Sequence, residues 1–162
     1  MSQLLSTTTI EQFKLLRAES EHPRELIVDL LRAIQDRNGW IPDEGIELAA
    51  EILGMTPIEI EELATFYDKL FRQPVGKRVI HLCDSVCCWT KGSEETSREL
   101  EKQLGIKPGE TTSDGMFTLL PTCCLGVCDV APAMMIGLTV YGDLTSEKIT
   151  AALEQERQEA TP

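Results

Sequence analysis

The sequence predicts an α+β chain, with a bundle of three or four helices in its first half and a domain of order β-α-β-β-β-α in its second. Three observations predict it. Apolar residues recur at helical spacing through the first half and at strand spacing after Lys77. The changeover falls in Arg72-Gln73-Pro74-Val75-Gly76-Lys77, a polar run with a proline and a glycine. All six cysteines, Cys83, Cys87, Cys88, Cys123, Cys124 and Cys128, lie beyond that run. The expected division is a helical domain over 1–72, a linker over 73–77 and a second domain over 78–162.

Residues 1–9 are polar and Ser/Thr-rich and are expected to be loose, or ordered only against a partner. Ile10, Phe13 and Leu16 keep helical spacing and predict a short helix over 10–19. From Pro23, the stripe Leu26, Ile27, Leu30, Leu31 and Ile34 predicts a helix stopped at Gly39. Pro42, Asp43 and Glu44 open a second helix carrying Ile46, Leu48, Ala49, Ile52 and Leu53 and closing at Gly54. Thr56-Pro57-Ile58-Glu59 has the form of a capping box with proline at the first helical position. The helix behind it carries Ile60, Leu63, Ala64, Phe66, Tyr67 and Leu70. Short helices on short connections make a small bundle. Its one histidine, His22, stands beside Pro23 and is read as solvated.

In the second half, Val79 to Leu82 forms a strand ending at Cys83. A helix follows over 93–104, stopped by Gly105, and then a turn-rich link over 106–114. Met116 to Leu120 is the second strand and Met134 to Ile136 the third. A hairpin through Gly137 returns along Leu138 to Tyr141. Thr145 caps a last helix with Ile149, Ala152 and Leu153 facing inward. No internal repeat is present.

Composition narrows the function. Of the 162 residues, 42% are hydrophobic and 26% charged, the mix of a soluble globular chain. No apolar run approaches the roughly 20 residues needed to span a bilayer, so direct membrane insertion is not expected. The net charge of −12 repels phosphate backbones and argues against nucleic acid as a partner. The acidity is shared, with nets of −7 over residues 1–76 and −5 over 77–162. Met1 to Leu16 carries no secretory pattern, and Glu11 disfavours an Arg-rich transit peptide. A reducing, cytoplasmic compartment is expected, in which the thiols are free or metal-bound. Two disulfides are the other reading of an even cysteine count.

Both cysteine groups sit beyond predicted strand ends. If those strands are neighbours, their loops meet in space and four thiolates can surround a small inorganic centre. Sulfur ligands suit zinc or iron–sulfur chemistry, whereas calcium and magnesium want oxygen. Adjacent cysteines diverge, so one of Cys87 and Cys88 is expected to join Cys83, and one of Cys123 and Cys124 to join Cys128. Gly126 lets the second loop fold tightly and brings backbone N–H groups toward the sulfurs. A structural zinc site most often uses C-x₂-C knuckles, and the sequence has none. The same absence argues against a C-x-x-C dithiol. A Rieske centre needs two histidine ligands, and only His81 is near. A [2Fe–2S] cluster on four cysteines remains. A zinc-binding adaptor without redox function is the rival reading.

Cys83-Asp84-Ser85-Val86-Cys87-Cys88 and Cys124-Leu125-Gly126-Val127-Cys128, followed by Asp129-Val130-Ala131-Pro132, resemble the thioredoxin-like [2Fe–2S] ferredoxin family. Asn38-Gly39-Trp40-Ile41-Pro42, Ala64-Thr65-Phe66-Tyr67 and Phe117-Thr118-Leu119-Leu120-Pro121-Thr122 extend the resemblance to the E-type subunits of NADH:quinone oxidoreductase, respiratory complex I. The resemblance implies one [2Fe–2S] cluster on Cys83, Cys88, Cys124 and Cys128, with Cys87 and Cys123 as extra thiols. Many members carry a carboxylate just before the third ligand, where this chain has Cys123. That leaves Cys123 as a possible stand-in if Cys124 were lost. The resemblance further implies a helical domain ahead of a thioredoxin-like domain, and a partner flavoprotein subunit binding NADH and FMN. The implied place is peripheral, on the cytoplasmic face of the inner membrane. The chain itself has no G-x-G-x-x-G after a strand and no P-loop, so the nucleotides are expected only on the partner. The diaphorase module of an NAD-linked hydrogenase or formate dehydrogenase is the alternative setting.

Four further expectations attach to single residues. Asp84 and Asp129 each follow a ligand and would lower the cluster's potential unless solvent screens them. Trp89 either shields the cluster or simply packs. Pro132 stands where thioredoxin folds often place a cis proline. Some of Trp40, Ile41, Phe66, Tyr67 and Phe71 are expected to anchor the flavoprotein partner, the others filling the bundle core.

Overall fold

The computed structural model of the chain describes residues 4–160. The chain divides into two compact units, with the division between Pro74 and Val75.

In the first unit, helix α1 (Thr7–Glu19) begins earlier than its apolar spacing predicts. The Ser6 hydroxyl accepts the Thr9 N–H at 3.1 Å and so starts the helix at Thr7. Leu5 is buried, and the Leu4 carbonyl accepts from the Asn38 amide at 3.1 Å. Residues 4–9 are therefore ordered, contrary to the expectation of a loose segment; residues 1–3 of that segment lie outside the described residues. Leu16, one of the residues at helical spacing, is 47% exposed. A 3-10 turn (Pro23–Leu26) leads into α2 (Ile27–Asn38), which ends at Gly39 with φ +81°. α3 (Asp43–Leu53) and α4 (Pro57–Phe66) follow. Ile27, Leu30, Leu31 and Ile34 of α2 join Ile46, Ala49, Ile52, Leu53, Ile60 and Ala64 in one core.

α4 stops at Phe66, short of the expected Leu70, because the chain turns back toward α2 there. Gln35 secures the return by donating to the Lys69 carbonyl at 2.9 Å and accepting the Phe71 N–H at 2.7 Å. The Ile41 N–H donates to the Phe71 carbonyl at 2.7 Å, and the Arg72 guanidinium meets Asp43 at 2.7 Å and Glu61 at 2.9 Å. Phe66 and Tyr67 are left 76% and 43% exposed, ring against ring edge-on at 5.2 Å. Ile41 lies in the core, so it is not an available anchor.

The second unit is built on a four-stranded mixed sheet of order β2-β1-β3-β4. β1 (Arg78–Cys83) is central, parallel to β2 (Phe117–Thr122) and antiparallel to β3 (Met134–Ile136); β4 (Thr139–Tyr141) pairs antiparallel with β3. Ile80 stands in register with Leu119 and with Ile136, and Leu82 with Met134. This apolar row shares one core with Leu100 of α6 (Ser93–Leu104) and with Ile149, Ala152 and Leu153 of α7 (Ser146–Glu159). Alternation along the strands supplies that face, and the helices cover it. Two details depart from the sequence reading. A short helix, α5 (Val86–Thr90), lies between β1 and α6, where no element was expected. β2 runs on through Pro121 and Thr122, and Pro121 is tolerated because β2 is an edge strand.

Candidate metal centre

β1 and β2 are parallel neighbours in register from Arg78↔Phe117 to Cys83↔Thr122. Their C-terminal ends therefore open at the same level, and both cysteine groups leave from there. Cys83 closes β1 between two partners. Its N–H donates to the Ala133 carbonyl at 3.1 Å, and the Asp84 N–H donates to the Thr122 carbonyl at 3.1 Å. Cys83 is thereby fixed and buried at 2% exposure. Ser85 then leads into α5, whose residues Cys87 and Cys88 point apart as neighbours on a helix must. Cys88 turns inward, 3% exposed, and packs with Cys83, Ala131 and Ala133. Cys87 stays at the surface.

The second group lies nearer the surface. Cys123, Cys124 and Cys128 are all exposed. The Cys124 and Cys128 sulfurs nevertheless lie 3.6 Å apart, because Gly126 takes φ +82° and folds the loop back on itself. The Gly126 N–H donates to the Cys124 sulfur at 3.4 Å. A 3-10 turn (Cys128–Val130) and the cis Ala131–Pro132 peptide lead from there into β3.

The electrostatics bind the two groups into one site. Burial, then the hydrogen bond and charge of Cys83, push the Cys88 thiol up, while the Ala133 N–H pulls it down. The Gly126 N–H, followed by Cys128, Ser85 and Cys83, draws the Cys124 thiol down. Cys128 is pushed up to about 12 by Cys124 and then by Cys87. Neighbouring thiols resist ionising together, and bound cations remove that obstacle by displacing the protons. The sulfurs thus form two pairs, buried Cys83 with Cys88 and exposed Cys124 with Cys128, joined where Cys83 and Ser85 reach Cys124. Among the described residues, no three His, Cys, Asp or Glu side chains form a group that could hold one metal ion. Two pairs suit a binuclear [2Fe–2S] centre, in which each iron takes two cysteines.

Two contributors escaped the sequence reading. Ser85 sends its hydroxyl toward Cys124, and the Ala133 N–H reaches the Cys88 sulfur. Ser85 has a faint signal, a cap-forming residue between an aspartate and an apolar run. Ala133 has none, since a backbone donor carries no sequence mark. Of the other residues singled out, Asp84 and Asp129 are exposed. Trp89 is 58% exposed and donates its indole N–H to Glu94 at 3.0 Å, outside the hydrophobic cores. His81 is buried in the central strand.

A mixed sheet flanked by helices, with four convergent thiols beyond two parallel strand ends, defines an iron–sulfur protein of thioredoxin-like topology. The chain belongs to the thioredoxin-like [2Fe–2S] ferredoxin family, whose model matches residues 13–157. Within that family it is 49% identical over 135 residues to the E subunit of NADH-quinone oxidoreductase from Escherichia coli (strain K12), covering 83% of this chain and 81% of that one. It is 46% identical over 134 residues to the corresponding E subunit from Pseudomonas aeruginosa, with the same coverage. The crystal structure of the NAD+-reducing [NiFe]-hydrogenase in the air-oxidized state superposes with a TM-score of 0.67 at 26% identity. That match covers 81% of this chain and 23% of the hydrogenase chain, so the chain spans about a quarter of it.

Proposed function

We propose that the chain is the [2Fe–2S] electron-transfer subunit of the NADH dehydrogenase module of an NADH:quinone oxidoreductase. One cluster is held by Cys83 and Cys88 on its buried side and by Cys124 and Cys128 on its exposed side. When bound, such a cluster supplies a carrier of one electron at a time. The chain's own residues set its surroundings. The Ala133 and Gly126 N–H groups donate to ligand sulfurs, which favours the more negative, reduced state. The buried pair fixes position, and the exposed pair leaves one side open to a redox partner. NADH and FMN sit on a partner flavoprotein subunit, where the hydride is taken and then passed on as single electrons. Among the described residues, no helix is long and apolar enough to cross a membrane, and a peripheral place at the cytoplasmic membrane face accords with that.

The pairing of the four sulfurs at the ends of β1 and β2 carries this reading, and identity to the E subunits supports it. The test is anaerobic purification of the chain co-produced with its assembly machinery, followed by iron and sulfide assay and EPR. Two irons and two sulfides per chain, with a rhombic signal after dithionite, are expected. A colourless chain carrying one zinc would overturn the assignment. The likeness to the hydrogenase favours a second setting, the diaphorase module of an NAD-linked hydrogenase. Identifying the subunits that co-purify distinguishes the two settings.

A further inference from the structure

The two pairs of proposed ligands differ in their access to solvent. Cys83 and Cys88 are 2% and 3% exposed and pack with Ala131 and Ala133, whereas Cys124 and Cys128 are both exposed. The Cys124 and Cys128 sulfurs lie 3.6 Å apart on one loop. Gly126 at φ +82° closes that loop, and its N–H donates to the Cys124 sulfur at 3.4 Å. Two accessible thiols in contact are a dithiol, and a dithiol is open to oxidation. We infer that Cys124 and Cys128 are a redox modification site, joined by a reversible disulfide until the cluster is inserted. The co-reactant is a low-molecular-weight disulfide of the glutathione class. While the bridge is closed, the outer half of the site accepts no iron; the inference rests on the cluster assignment above for what the bridge controls.

The step balances with that one co-reactant. One sulfur of the pair attacks the small disulfide, forms a mixed disulfide and releases a small thiol. The other sulfur, 3.6 Å away, attacks the mixed disulfide, forms the Cys124–Cys128 bond and releases the second small thiol. The pair gives up two electrons and two protons, and the small disulfide takes both. A disulfide bond is about 2 Å long, so the sulfurs must close by about 1.5 Å, which exposed side chains supply by rotation. The fold confines the reaction to this pair. Cys83 is held in β1, its N–H donating to the Ala133 carbonyl at 3.1 Å, and it is buried with Cys88 away from a dissolved oxidant. Cys123 is exposed, but a bond to adjacent Cys124 would have to fit Cα atoms about 3.8 Å apart, below the usual disulfide span. The bridge keeps both sulfurs from irreversible oxidation to sulfinic acid, and an exposed bridge is open to reduction by thiols.

The test uses the full-length, iron-free chain as wild type and as Cys87→Ala/Cys123→Ala, each checked for folding by circular dichroism. Both are incubated anaerobically in a glutathione buffer in which the oxidised form predominates, quenched by alkylation and mapped by mass spectrometry. Cys124 should be linked to Cys128 in both chains, and Cys83 and Cys88 should be recovered as free thiols. In wild type, Cys87 and Cys123 should carry glutathione at most. Oxidised and reduced wild type are then offered a [2Fe–2S] cluster held on a scaffold protein, without added thiol. The oxidised chain should accept at least about tenfold less than the reduced one, and dithiothreitol should restore uptake. A map in which Cys124 and Cys128 are not joined to each other, in either chain, overturns the inference, and so does equal uptake by the two forms. A reduced chain that accepts no cluster overturns the cluster assignment, and the control of uptake falls with it; the disulfide map tells the two failures apart.

Discussion

A Cβ added at Gly142 would lie 2.5 Å from Val130 Cγ2 and 2.8 Å from the Val130 carbonyl oxygen. Val130 belongs to the same 3-10 turn as Cys128, and its carbonyl accepts the Asp143 N–H at 2.6 Å. A residue with no apparent chemistry thus positions the turn that carries Cys128, a proposed ligand. Gly142→Ala should destabilise the second unit by about 1–3 kcal/mol, the usual cost of overpacking. It should also speed loss of iron to a chelator; urea unfolding and chelation kinetics measure the two effects. Asp84 and Asp129 illustrate the opposite case. Both are exposed, so water and salt screen them from the sulfurs. Asp84→Asn or Asp129→Asn should raise the reduction potential by less than about 40 mV, the equivalent for one electron of a surface interaction below about 1 kcal/mol. Potentiometry showing a much larger rise would mean that the carboxylates act on the cluster directly.

Elements set the site by how they end. β1 and β2 deliver their cysteines together because they run parallel and in register, and an antiparallel pair would separate them. α5 separates Cys87 from Cys88, sending one outward and the other into the buried pair. In the first unit, α4 is started by Thr56 and Glu59. The Glu59 carboxylate accepts from the Thr56 N–H at 2.9 Å and from its hydroxyl at 2.7 Å. Thr56→Ala should cost about 1 kcal/mol through the lost cap. Thermal unfolding of the full chain should show it, with iron content unchanged because no cysteine lies in that unit. Arg72 joins α3, α4 and the returning segment by meeting Asp43 and Glu61. Arg72→Ala should cost roughly 2 kcal/mol, since its charge-assisted bonds to Glu61 are part-buried. A measured change below a few tenths of a kcal/mol would show these contacts to be mere surface pairs.

For the whole molecule, acid is the expected weakness. Asp114 is held well below the usual carboxylate range by the Thr112 hydroxyl, then by Arg157 and the Met116 N–H. Glu59 is lowered by Thr56, and Glu99 by Gln103 and Ser146. A carboxylate whose folded value is depressed stabilises the fold fully above its unfolded value of about 4, and that contribution is lost as pH falls. The melting temperature of the iron-free chain should therefore drop below about pH 4, and Asp114→Asn should flatten that slope. Each unit encloses its own hydrophobic core, and all six cysteines lie in the second. Residues 75–162 alone should therefore take up iron at wild-type stoichiometry. If exposed Phe66 and Tyr67 anchor the flavoprotein, that fragment should co-purify with it in reduced yield; full yield would remove the docking role.

Much of this was legible in the chain itself. Helical spacing, the proline and glycine stops and the Thr56 to Glu59 signature mark α2, α3 and the start of α4, because those signals are local. The helix over 93–104 and the strand over 134–136 fall on the expected residues for the same reason. The four cysteines proposed as ligands were identifiable by family resemblance, and their spacing alone left Cys87 against Cys88 and Cys123 against Cys124 open. Only tertiary structure buries Cys88, leaves Cys87 at the surface, ends α4 at Phe66 and brings the Ala133 N–H to a sulfur. Those outcomes depend on contacts between segments far apart in sequence, and a periodicity of neighbouring residues carries no record of them.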